Sequence, residues 1–154
     1  MDFFSEALAV MDSQMGYDVC ISLATLSDSG PSVRVVDGYY HGGSLYVVSH
    51  TASHKMKDIA KDPRVAGCYK IHQFWGKGVN MGNPKKPENL ELARTLRKVF
   101  FKFYDRHVNE DDPECCILRI VLSRAVVFSQ DAKYIVDFQN RSAEKIAMKL
   151  DIIE

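Results

Sequence analysis

Hydrophobic positions change their period several times along the chain, and each change marks an element. From Asp2 to about Gln14, Phe3, Phe4, Leu8, Val10 and Met11 are mixed with acidic and small residues, which predicts a short amphipathic helix ending near Gly16. Tyr17 to Leu26 is a β-branched run closed by Ser27-Asp28-Ser29-Gly30-Pro31, a strand and then a turn. In Ser32-Val33-Arg34-Val35-Val36 β-branched residues alternate with one cation, a second strand. Gly42-Gly43 can supply the positive φ of a tight hairpin, and Ser44 to Ser49 returns as the partner strand. A helix from about Ser53 to Lys61 follows, with Met56, Ile59 and Ala60 as its apolar stripe. It stops at Asp62-Pro63 because a residue before proline avoids the α region.

Val65–Ile71 and Gln73–Met81 read as two further strands, and Gly82–Pro87 as a loop. Glu88 to about His107 has Leu92, Leu96, Val99, Phe100, Phe103 and Tyr104 at three-four spacing, the longest predicted helix. Phe101 falls outside that stripe, and the aromatic run suits core plus a dimer contact. Cys115–Leu122 and Ala125–Phe128 read as two strands, and Ser142 to about Leu150 as a helix with Ile146, Ala147 and Leu150 inward. The sum is a mainly β single domain over residues 1–154, with six or seven short, mostly antiparallel strands and three or four helices. Such a sheet must close or be covered at its edges, and its strands do not alternate regularly with helices. A barrel with helices packed outside it is therefore expected, rather than a doubly wound parallel sheet.

Composition narrows the function. Twenty basic and twenty acidic residues cancel, which argues against a general nucleic-acid or anionic-membrane binder. No apolar run reaches the ~18–20 residues of a membrane span. Asp2 and Glu6 interrupt the N-terminal apolar stretch, so a secretory signal is not expected and a cytoplasmic location is. Four cysteines, Cys20, Cys68, Cys115 and Cys116, are too few for a disulfide scaffold and have no C-x-x-C spacing. On a strand Cys115 and Cys116 alternate faces, one buried and one not.

The chemistry concentrates between Ser32 and Lys55. Ser53 is placed to cap a helix whose first N–H groups carry partial positive charge, yet Lys55 sits in that first turn, where an acid would be the favoured choice. A cation there makes sense if an anion docks, and the hairpin can bring Arg34 to the same place. His50 and His54 are four apart, but His41, His72 and Cys68 offer no telling spacing for further ligands, so no metal site is expected. Ser49-His50 are strand neighbours that point to opposite faces and do not make a nucleophile-base pair. Gly76-x-Gly78 lies in a strand, which suits a bulge or a close backbone approach.

The succession Pro31-Ser32-Val33-Arg34-Val35-Val36, Leu45-Tyr46-Val47-Val48-Ser49, Ser53-His54-Lys55, Lys61-Asp62-Pro63-Arg64-Val65-Ala66 and Trp75-Gly76-Lys77-Gly78 resembles the pyridoxamine 5'-phosphate oxidase-like, FMN-binding split β-barrel family. The likeness spans roughly Gly16 to Phe128. It implies a homodimer with FMN at the subunit interface. Arg34 and Lys55 would hold the FMN phosphate, with Ser49, Ser53 and His54 beside it. The backbone of Val35 and Val36 would lie along the ring, and Gln73, Trp75 and Gly76 would approach it from a neighbouring strand or the other subunit. The activity implied is an oxidoreductase acting on an unidentified small molecule or electron donor; the alternative is a non-catalytic flavin- or heme-binding sensor or storage module. The tail from Asp131 to Glu154 lacks the basic residues with which the true oxidase binds its substrate phosphate.

Overall fold

A computed structural model describes residues 1–148 of the chain. Eight antiparallel strands form one sheet: β1 (Val19–Ser27), β2 (Gly30–His41), β3 (Ser44–His50), β4 (Arg64–Tyr69), β5 (His72–Asn80), β6 (Cys115–Phe128), β7 (Ala132–Asp137) and β8 (Ser142–Ala147). Their order is β3-β2-β1-β4-β5-β6-β7-β8, and β3 also pairs with β6. That extra pairing rolls six strands into a barrel and leaves β7 and β8 outside it.

Closure depends on β6, 14 residues long. One edge pairs with β5 from Leu118 to Val126. The other edge pairs with β3 from Cys115 to Val121 and with β7 from Arg124 to Phe128. The two separate strands expected here are thus one, running straight through Ser123-Arg124. Among the described residues the barrel itself has six strands, within the expected number, and β7 and β8 add two outside it: β7 has no counterpart in the sequence reading, and the tail is extended. The register slips between Trp75 and Gly76, and a Cβ at Gly76 would collide with the Val121 carbonyl. Glycine at 76 is therefore required by β6 itself.

The barrel is split where β2 leaves β3. These strands pair only at Tyr39–His41 with Tyr46–Ser44, across the Gly42-Gly43 turn, both of whose glycines have positive φ. Among the described residues, β2 pairs with β1 alone from Gly30 to Gly38. Ile21, Leu23, Leu45, Val47, Phe74, Leu118 and Ile120 fill the interior. Helix α1 (Phe3–Met15) is capped by Asp2, whose carboxylate accepts from the Ser5 N–H at 2.7 Å, and buries Phe4, Ala7, Met11 and Met15. Helix α2 (His54–Lys61) buries Met56, Asp58 and Ile59.

The long predicted helix is broken. A 3₁₀ turn at Pro87–Asn89 leads into α3 (Leu90–Val99), and the chain leaves the α region at Phe100 before the single turn α4 (Tyr104–His107). Aromatic residues at 100, 101, 103 and 104 are poor helix formers when crowded. The break lets Phe100 and Tyr104 join Leu96 against Ile117 on the outer face of β6, while Phe101 points outward at 71% exposure. This second layer explains the cysteines. Cys116 faces the barrel and Cys115 faces outward, and both are buried, so the expected in-out pair fails. Burial also pushes the Cys115 thiol up to about 11, which leaves it unreactive.

The C-terminal helix expected from Ser142 is instead strand β8 as far as Ala147; the remainder of that expectation, from 149 on, lies outside the described residues. The Asp137–Arg141 turn directs the chain back, with Asp137 accepting from the Asn140 backbone and side chain. The open edge of β7 then offers more hydrogen bonds than a lone amphipathic helical turn could make. Leu96→Ala should empty the centre of the outer cluster and lower the unfolding free energy by about 2–5 kcal/mol in urea titration. A loss below about 0.5 kcal/mol, the range of surface substitutions, would show that α3 does not bear on β6.

Candidate functional site

At the mouth of the split, β2 and α2 bring Arg34 and Lys55 to the same end of the barrel. Arg34 faces inward from β2, with 23% of its side chain exposed. Its Nη1 donates to Thr25 Oγ1 at 2.7 Å and to the Leu23 carbonyl at 3.2 Å, and Nη2 donates to Ser32 Oγ at 3.1 Å. Thr25 Oγ1 in turn donates to Asp58 Oδ2 at 2.8 Å, and that oxygen lies 3.8 Å from Arg34 Nη2. Asp58 and Thr25 are buried, so the acid beneath the guanidinium is compensated by a hydroxyl and a cation rather than by water. Three contacts thus fix the planar fork of Arg34 before any ligand arrives.

Lys55 is different. It is half-buried, and among the described residues no acid lies within ion-pair distance of its ammonium. Burial, and next the Arg34 guanidinium, hold its pKa below the usual lysine range. The two cations therefore sense one another, as the hairpin allows. Around them, Ser53 takes the cap position of α2 but makes no side-chain cap bond, so the first-turn amides keep their outward polarity. Its hydroxyl instead lies 3.4 Å from that of Ser49 at the end of β3. His54 is exposed at the first position of α2. Among the described residues, two hydroxyls, uncapped helix amides and two cations thus surround one buried acid, an arrangement whose net polarity favours an anion.

Val36 is packed against the core and Val35 is 67% exposed on the outer face; their backbone runs along the stretch of β2 whose second edge no strand occupies among the described residues. Gln73 and Trp75 are elsewhere. They lie on the outer face of β5, three strand spacings from β2, or roughly 14 Å at ~4.8 Å per strand. There they border a shallow cavity of about 280 Å³ with Ser22, Ala24, Val33 and Ala66. Arg124 lies 4.1 Å from the centre of the Trp75 ring. Within one chain, then, Arg34, Ser49, Ser53 and Lys55 converge, whereas Gln73, Trp75 and Gly76 do not join them.

A second cleft, of about 320 Å³, opens beside Lys55, from Ser49 and Ser53 toward Phe103, His107 and Asn109. His50 lines it; its Nδ1 accepts from the Ala52 N–H at 3.2 Å, which leaves Nε2 to donate to Asp112 at 3.1 Å. The sequence reading missed this wall, and it missed Thr25 and Asp58. Asp58 left one trace, an acid beside Ile59 on the buried side of an otherwise amphipathic helix. The α4 wall left none, since only the break at Phe100 brings it to the cleft.

No protein-family model matches the sequence, and no curated protein matches it. Solved structures do match in fold. A pyridoxamine 5'-phosphate oxidase-related, FMN-binding protein from Nostoc punctiforme superposes with a TM-score of 0.60 at 15% identity, over 97% of this chain and 98% of its own. General Stress Protein 26 from Bacillus anthracis gives 0.59 at 14% identity, covering 93% and 99%. An FAD-binding protein from Mesorhizobium loti gives 0.62 at 17%, covering 77% and 91%. The fold is the split β-barrel of the pyridoxamine 5'-phosphate oxidase-like proteins.

Lysine whose pKa is depressed in the folded state costs stability at pH values below that pKa, where the unfolded chain holds the proton more cheaply, and the cost fades as pH rises past the unfolded lysine value. Lys55→Met should therefore stabilise the ligand-free protein at pH 7, by up to about 1 kcal/mol given solvent screening of a half-exposed group, and by less near pH 11. Urea titrations at the two pH values check this; an equal or opposite trend would mean that the ammonium is not strained.

Proposed function

We propose that this protein is a flavoprotein, an FMN-dependent oxidoreductase that acts on a small molecule as a homodimer. The observation that carries the reading is Lys55: a half-buried ammonium beside a second cation, at an uncapped helix N-terminus, with no acid paired to it among the described residues. The ribityl phosphate of FMN would supply the missing charge. Arg34, pre-set by Thr25 and Ser32, presents its fork to it, and the hydroxyls of Ser49 and Ser53 and the amides of His54 and Lys55 supply further donors.

From that anchor the free edge of β2 offers backbone donors and acceptors to the polar rim of the ring system near Val35 and Val36. When bound, the flavin brings hydride or electron transfer at its N5, and the chain's part is to hold and orient it and to exclude water. The structural neighbours include proteins described as FMN-binding and FAD-binding, which supports a flavin as the ligand class.

The homodimer is supported by the outer face of the barrel. Val33 and Val35 stand 69% and 67% exposed there, in register with Ala24 and Ser22 and then with Ala66 and Cys68 on β4. An apolar strip of this kind on a folded surface suits a contact with a second copy. A second copy seated on it would bring its own Gln73 and Trp75 toward the first copy's Arg34 and Lys55, which they do not join within one chain.

Titration with FMN should quench flavin fluorescence at one equivalent per chain. Arg34→Ala and Lys55→Ala should each weaken binding by about 1–3 kcal/mol, with Arg34→Lys as the control that keeps a charge over Asp58. Rapid bleaching of the bound flavin by NADH or NADPH is the outcome expected of an oxidoreductase, and binding without reduction would leave a flavin carrier. Val35→Asp should convert the dimer to a monomer in sedimentation, whereas an unchanged mass would remove β2 from the interface.

A further inference from the structure

The Gly42-Gly43 hairpin turn borders a cavity of about 370 Å³, within the ~300–1,000 Å³ of small-molecule sites. Phe4 and Leu8 of α1, Val121 of β6 and Phe138 after β7 make its wall apolar, and Arg119 and Arg141 bring two cations to it. Ser44, also on the wall, opens β3. Ser49 lies further along the same strand, roughly 17 Å away at ~3.4 Å per residue, so this cavity is separate from the anion site.

Both guanidinium groups are held at the wall by other wall residues. Arg119 Nε donates to the buried Ser44 Oγ at 2.9 Å, a bond that does not use the two Nη groups. Arg141 Cζ lies 5.1 Å from the centre of the Phe4 ring. Among the described residues the half-buried arginines are Arg34 and Arg119, and their surroundings differ. Arg34 rests on the buried Asp58, whereas no described carboxylate lies within ion-pair distance of Arg119 or of Arg141. A guanidinium partly withdrawn from water without an acid lacks its compensation, and a bound anion would supply it.

The wall selects among anions. Planar guanidinium forks match a carboxylate through parallel hydrogen bonds. Phe4 and Phe138 meet edge to face with ring centroids 6.0 Å apart, an arrangement that a further aromatic ring can extend. We propose that this cavity binds a small carboxylic acid with an aromatic body, its carboxylate held by Arg119 and Arg141 and its ring against Phe4 and Phe138. A bare inorganic anion would leave the apolar wall in water, and a neutral aromatic molecule would leave the two cations without a counter-charge. The site goes beyond the flavin reading and does not depend on it.

An NMR titration of the isotope-labelled full chain with phenylacetate tests this. The Gly42 and Gly43 amide signals should move as the acid is added. Phenylacetamide, which lacks the charge, and acetate, which lacks the ring, should each bind about tenfold or more weakly. Arg141→Gln, at an exposed position where the fold is not at stake, should weaken phenylacetate by about tenfold, and Arg119→Gln should do the same. No movement of the hairpin signals at millimolar phenylacetate overturns the assignment, as does full affinity in Arg141→Gln. Acetate or phenylacetamide binding as tightly as phenylacetate, or phenyl phosphate binding more tightly, overturns the aromatic carboxylate as the ligand class. Movement of the Ser53 and Lys55 amides in place of the hairpin pair places the acid at the anion site and overturns it too. None of these outcomes touches the flavin reading, which rests on Arg34 and Lys55.

Discussion

The molecule depends on the two-sided pairing of β6. A strand that must close the barrel on β3, sit beside β5 and then carry β7 needs hydrogen-bonding partners on both edges and cover on both faces. Those demands dictate its fourteen residues, its apolar content and the burial of both neighbouring cysteines. They also set the positions of the outer helices, because α3 and α4 exist to cover the outer face of β6 around Ile117. With β6 holding β3 in place, β2 is free to stand apart from β3 before Tyr39, and that divergence makes the opening in which the two cations meet.

Within the opening the charges are arranged asymmetrically. Arg34 is satisfied by its own chain through Thr25, Ser32 and the buried Asp58, so it costs little to keep and is already oriented. Lys55 lacks that support, and burial beside a like charge disfavours its charged form. One cation is therefore a fixed template and the other an unmet demand. A site built from two fully solvated lysines would have neither the geometry nor the drive. The same strain would be released by an anion, so stability and ligand binding are coupled through a single side chain.

Most of the barrel was legible in the sequence because its strands and turns carry local signals: β-branched alternation in β1 to β3, Gly42-Gly43 at the hairpin, Asp62-Pro63 at the end of α2. The convergence of Arg34 and Lys55 was legible for the same reason, since only one hairpin separates them. What was not legible depended on distant partners. Residues 142–147 have a pattern that suits a helix, and only the open edge of β7 makes them a strand. The segment from 88 to 107 has a helical period throughout, but the packing of Phe100 and Tyr104 on Ile117 outweighs it. Gln73 and Trp75 illustrate the opposite limit. They lie in a strand, as their pattern suggests, yet that strand is not a neighbour of β2: one chain keeps them three strands away from it.

The margin of β2 from Gly30 to Gly38, unpaired among the described residues, also bears on aggregation. A bare row of backbone amides and carbonyls invites strand addition from any neighbouring molecule, the first step toward cross-β aggregation. Pro31, which cannot donate, and the charges of Arg34 and Asp37 blunt that tendency along this segment. The β-branched residues of this margin are thus interleaved with gatekeepers against self-association, and a substitution in either set will be felt in the other.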